Sequence, residues 1–96
     1  MPPEDTYTIH YADKRVLRSL QKLPKEALRK LDRELMTLKD NPRSRKVKKL
    51  KGHQDLYELK VWPYRVLFGI DDQARVVVLY EIIHRRDLEK YLRRIS

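Results

Sequence analysis

The run from Arg75 to Ile83 contains four apolar residues in a row, Val76-Val-Val-Leu79, three of them β-branched. A segment this short and this apolar fits a strand covered on both faces, so the remaining elements must be arranged around it as a central strand. Upstream, Leu56 to Trp62 alternates: Tyr57, Leu59 and Val61 point to one side, and Glu58, Lys60 and Trp62 to the other. Pro63 lacks the N–H that a ladder needs, so the chain is expected to turn at Trp62-Pro63 and return as Tyr64 to Ile70. Asp71-Asp-Gln-Ala74 then turns it again into the apolar run. The three segments predict an antiparallel meander.

The first half of the chain reads differently. Tyr7-Thr-Ile-His-Tyr11 alternates aromatic and β-branched residues with polar ones, as a half-buried strand does. Asp13 is placed to cap a helix carrying Val16, Leu17, Leu20 and Leu23. Pro24 interrupts that helix or opens the next at its first position. From Lys25 to Lys39, Leu28, Leu31, Leu35 and Leu38 form one apolar stripe, and Asp40-Asn41-Pro42 ends it. At the other end, Leu88, Leu92 and Ile95 space a short helix over Asp87 to Ile95. The expected fold is therefore α+β: an N-terminal strand, a two-helix hairpin, a three-stranded antiparallel meander and a short C-terminal helix, with helices on one face of the sheet. With 96 residues, one domain spanning 1–96 is expected.

Charge narrows the partners. A net charge of +9 points to polyanions or an acidic protein. Arg43, Arg45, Lys46, Lys48, Lys49 and Lys51 fall in a nine-residue segment without an acid, which reads either as a solvated linker or as a loop facing nucleic acid. There is no cysteine, so disulfides and thiolate metal sites are excluded. His10, His53 and His84 are too scattered to suggest a metal site. No apolar run approaches the roughly 20 residues of a membrane span. Met1-Pro-Pro-Glu-Asp5 lacks a basic n-region, so a soluble cytoplasmic chain is expected.

The polar side of the meander carries groups suited to phosphodiester chemistry. Cleaving RNA through its 2′-hydroxyl needs a base, cations for the crowded phosphorane and an acid for the 5′-oxygen; no metal or other cofactor is required. Glu58 can serve as base and Lys60 can hold the phosphate. Arg65 can reach them from the paired strand, and Arg85 or Arg86 can complete the clamp. The plainer alternative is a solvated Glu-x-Lys pair worth about 0–1 kcal/mol, with the arginines merely outward-facing.

Four ordered motifs, Lys49-Leu-Lys-Gly52, Leu56-Tyr-Glu-Leu-Lys60, Tyr64-Arg65-Val-Leu-Phe68 and His84-Arg85-Arg86-Asp87, resemble the RelE/ParE toxin superfamily. The resemblance implies a toxin of a type II toxin-antitoxin system. In its RelE branch such toxins are ribonucleases that cut messenger RNA in the ribosomal A site; in its ParE branch they poison DNA gyrase. A catalytically inert nucleic-acid or antitoxin binder of the same shape is the third possibility. By its likeness to RelE-like enzymes, Lys60 and Arg65 match the basic strand positions, Arg85 matches the arginine given a general-acid role, and Tyr91 matches the tyrosine that stacks on or orients RNA, a position that members with a shorter spacing would put at Glu89. Glu58 departs from the best-known RelE pattern, where that position is basic; it is either a more conventional base or a sign of reduced activity. Arg45, Lys46, Lys48, Lys49, Lys51 and Arg86 are the expected RNA contacts. The implied partners are messenger RNA, the ribosome and a cognate acidic antitoxin, with operator DNA bound only through the antitoxin complex.

Overall fold

A computed structural model describes residues 6–95; the segment Met1 to Asp5, read above for an export signal, lies outside the described residues. The apolar run forms β5 (Val76–His84), flanked on one side by β4 (Tyr64–Asp71), antiparallel, and on the other by β1 (Thr8–Tyr11), parallel. Beyond β4 lie β3 (Tyr57–Val61) and β2 (Val47–Lys49), giving the order β1-β5-β4-β3-β2. The expected meander is thus the centre of a five-stranded mixed sheet. Pairing of Val61 with Tyr64 leaves Trp62-Pro63 as the two-residue turn.

β2 corrects the expectation of a free basic loop. Val47-Lys-Lys49 is too short to display an alternation, yet it closes the sheet against Leu59, Glu58 and Tyr57. Its exposed lysines also charge the sheet's outer edge, which discourages pairing with other chains. The preceding residues are tied down as well. Arg43 makes a bidentate ion pair with Asp72 at 2.9 Å through both terminal nitrogens, and the Tyr7 hydroxyl donates to the same carboxylate at 2.7 Å.

Arg43, with the Tyr7 hydroxyl, holds the Asp72 carboxyl down at about 2, against an ordinary 3.8. A depressed folded-state value means that the stabilisation is complete above the unfolded value and is lost as pH falls through the folded one. The stability advantage of wild type over Asp72→Asn is therefore expected to be constant above about pH 5 and to vanish as pH falls towards 2. Urea unfolding across that range checks it; a constant advantage down to pH 2 contradicts it.

Two helices cover one face. α1 (Lys14–Gln21) begins at Asp13, whose Oδ1 accepts from the Arg15 amide at 2.8 Å and the Val16 amide at 3.4 Å. α2 (Lys25–Asp40) follows Pro24, which stands at the cap position. Leu31, Leu35 and Leu38 from α2 and Val16 from α1 bury against Leu59, Val61, Val66, Phe68, Val77, Leu79 and Ile82. Burial of this kind stabilises by about 1.5–3 kcal/mol per large side chain.

α1 and α2 form the helical layer on that face, as expected. α3 (Leu88–Ile95), which follows a 3₁₀ turn at Arg85–Asp87, adds no residue to that core; its Tyr91 and Ile95 line an open pocket with Tyr80 and Leu56. A bulge explains why Tyr80 is available there. Leu67 pairs with Glu81 and Phe68 with Leu79, so Tyr80 is an extra residue on β5. It lies against Gly69, where an added Cβ would meet its ring and hydroxyl at 2.9 Å.

Candidate functional site

Leu59 and Val61 are buried in the core, so Glu58 and Lys60 take the opposite face of β3, as alternation requires. Lys60 stands directly across from Arg65, and Glu58 across from Leu67. Arg65 therefore reaches Glu58 along the cross-strand diagonal, a distance that a long side chain spans. Its Nε lies 2.7 Å from Glu58 Oε1. The two side chains are 14% and 7% exposed, so this is a buried ion pair rather than a solvated surface contact. Arg65 Nη1 is buried without a hydrogen-bond partner, leaving the guanidinium's donors incompletely used.

Such a pair changes what each member can do. Desolvating two charges costs several kcal/mol per ion, and mutual attraction recovers it only while both partners remain. Glu58 is thus a counter-ion to Arg65 in the unliganded protein. Lys60, by contrast, is exposed and enters no ion pair among the described residues.

Arg85 sits at the same end of the sheet by a different route. Its amide donates to the Pro63 carbonyl at 2.9 Å, fixing the end of β5 to the β3–β4 turn. Its guanidinium carbon lies 4.3 Å from the centroid of the Trp62 ring, a cation–π contact. Trp62 was not among the site residues expected from the sequence. Its placement by alternation beside Glu58 and Lys60 was the signal available, and its 60% exposure in the folded protein shows that it is not a core aromatic. Arg86 is exposed near Asp87, at 3.9 Å.

Tyr91 is not part of this group of contacts. It lies in the pocket lined by Asp13, Arg15, Leu56, Tyr80 and Ile95. Burial raises its phenol above the ordinary value, and Glu81 pushes in the same direction, so the hydroxyl stays protonated and able to donate. Of the residues in the basic segment, Lys46 is bound to Glu34 of α2 at 3.0 Å, which makes it in part a tether for β2. Arg45, Lys48, Lys49 and Lys51 are exposed. Lys48 shares the Glu58 face because the two residues are register partners, whereas Lys49 pairs with Tyr57 on the other face.

The sheet therefore joins Glu58, Lys60 and Arg65 in one patch and carries Arg85 on Trp62 at its end. The family model described as the ParE toxin of type II toxin-antitoxin systems, parDE, matches residues 10–89. The chain belongs to the RelE/ParE toxin superfamily. A relative named RelE1, from Methanocaldococcus jannaschii, is 31% identical over 80 residues, covering 80% of this chain and 89% of its own. Among solved superfamily structures, the E. coli RelE toxin as a free mutant is 26% identical, covers 95% of this chain and 99% of its own, and superposes with a TM-score of 0.75. The RelE of the Pyrococcus horikoshii RelE-RelB complex is 29% identical over 83% of this chain and 96% of its own, with a TM-score of 0.73. These similarities span both helices and the whole meander, so the α+β architecture is that of the RelE toxins.

Proposed function

We propose that this toxin is a ribosome-dependent endoribonuclease that cuts messenger RNA in the A site and so stops translation. The observation that carries the reading is the cationic cluster: Lys60 opposite Arg65 on the sheet, with Arg85 fixed at the adjoining turn. In the proposed reaction, the 2′-hydroxyl attacks the adjacent phosphorus as its proton leaves to a base. Lys60 and Arg65 stabilise the phosphorane, and Arg85 protonates the departing 5′-oxygen, leaving a cyclic phosphate. An arriving phosphate competes with Glu58 for Arg65. As the guanidinium transfers, the carboxylate is released and can accept the 2′-hydroxyl proton. Tyr91, outside this patch, is proposed to orient or stack on the RNA as a protonated aromatic donor on α3.

Primer extension on programmed ribosomes tests the proposal with wild type and Glu58→Gln. The amide retains an acceptor for Arg65 Nε but cannot take a proton. If Glu58 is the base, cleavage falls about 100-fold or more; activity near wild type assigns the carboxylate to positioning alone. Absence of A-site cleavage by the wild type, with an authentic RelE toxin active in parallel, rejects the ribonuclease function. Binding of the ribosome through Arg45, Lys48, Lys49, Lys51 and Arg86 should weaken with salt by a log–log slope of about −0.7 per phosphate contact.

The match to the ParE description and the internal neutralisation of Arg65 by Glu58 favour one second reading, a gyrase inhibitor. Inhibition of supercoiling by the purified toxin, without RNA cleavage, would establish it. In either case the partner proposed is a cognate antitoxin with an acidic segment, in line with relatives solved with RelB. Its charge would offset the net +9 of the toxin. The setting proposed is the cytoplasm, and any operator DNA contact is expected through the antitoxin complex.

A further inference from the structure

β2 pairs with β3 only from Tyr57 to Leu59, so the sheet edge is open at Lys60 and Val61. There α2 passes close by, and a cleft of about 180 Å³ is lined by Lys30, Arg33, Glu34, Lys60, Val61 and Trp62. Lys30 and Arg33 are three residues apart on α2, which puts them on one side of the helix. Glu34, the one acid in the lining, is occupied by Lys46, whose Nζ lies 3.0 and 3.4 Å from its two oxygens. Lys30, Arg33 and Lys60 enter no ion pair among the described residues. At the mouth, Trp62 is 60% exposed and carries Arg85 over its ring.

Free cations beside an exposed indole make a site for a phosphate joined to a flat base. We propose that the α2–β3 cleft binds a segment of single-stranded RNA, with Lys30 and Arg33 on its phosphates and a base stacked on Trp62. Stacking of this kind tolerates any base, so the cleft contributes affinity and register rather than sequence choice. Because Lys60 belongs both to this cleft and to the candidate cleavage patch, RNA held here leads directly into that patch. The inference rests on the ribonuclease reading for the identity of the anion.

Trp62 is the single tryptophan of the chain, so tryptophan fluorescence reports on the mouth of this cleft and the adjoining Arg85. The probe is an unlabelled 12-nucleotide single-stranded RNA, with a fluorescein-labelled copy for anisotropy. The RNA is expected to quench Trp62. Lys30→Ala/Arg33→Ala should bind more weakly, with a salt slope shallower by about 1.4, from two lost phosphate contacts. Trp62→Ala should lose about tenfold in affinity with the slope unchanged. RNA binding with unaltered Trp62 emission, or a double variant with wild-type affinity and slope, overturns the proposal. Equal quenching by an oligoglutamate of the same length also overturns it, in favour of an acidic protein. Cleavage is scored separately. A positive result for the cleft without ribosomal cleavage sinks the ribonuclease reading and leaves the RNA site standing, and the converse sinks only the cleft.

Discussion

Glu58→Ala is expected to destabilise the toxin by about 3–5 kcal/mol, because it strands a buried guanidinium without its counter-ion. Arg65 is 14% exposed, its Nη1 already lacks a partner, and the carboxylate at 2.7 Å from Nε is its only ion-pair partner among the described residues. Arg65→Ala should cost a similar amount by stranding Glu58. Replacing both, as Glu58→Leu/Arg65→Leu, should recover much of the loss, since apolar side chains of similar volume carry no desolvation cost. Urea denaturation of wild type, Glu58→Leu, Arg65→Leu and the Glu58→Leu/Arg65→Leu variant forms a double-mutant cycle. Additive losses would show that the pair contributes no coupling and would refute the buried-pair account. The same physics makes Glu58→Ala a poor probe of catalysis, since it removes a possible base and disturbs Arg65 together; Glu58→Gln separates the two.

Arg85→Ala is expected to show the opposite pattern: cleavage on ribosomes falls about 100- to 1000-fold while stability changes little. Arg85 is exposed, and its contact with Trp62 is worth about 0.5–1 kcal/mol at such a site. The amide bond to Pro63 survives the substitution, so the end of β5 stays anchored. Loss of activity with an unchanged unfolding midpoint would therefore place Arg85 in the chemistry. Activity within threefold of wild type would remove it from the mechanism. If Arg85→Ala lost gyrase inhibition instead, with no cleavage in the wild type, the ParE-like reading would take over.

Much of the meander was legible because each strand carried its own signal. Val76 to Leu79 marked the central strand, Trp62-Pro63 the turn, and the alternation of Leu56 to Trp62 assigned the faces of Glu58 and Lys60. Asp13 announced α1 through local capping chemistry, and the leucine stripe announced α2. Three features stayed hidden for a common reason. Val47–Lys49 is a strand only because β3 offers it an unpaired edge. The parallel pairing of β1 with β5 depends on where two segments far apart in sequence come to rest. The bulge at Tyr80 shifts the alternation of β5 so that Leu79 and Ile82, an odd number of residues apart, both enter the core.

The site divides in the same way. Residue type and alternation by themselves determined which face would carry the acid and the cations, and ordered motifs determined the family. Only the tertiary structure decided that Arg65 spends its charge on Glu58, that Arg85 rests on Trp62, that Arg43 and Lys46 are tethers, and that Lys30 and Arg33 meet Lys60 at an open edge. Strand periodicity is a local property, set by the backbone two residues at a time. The pairing of charges depends on register and on which elements pack together, and those are settled by burying one shared core.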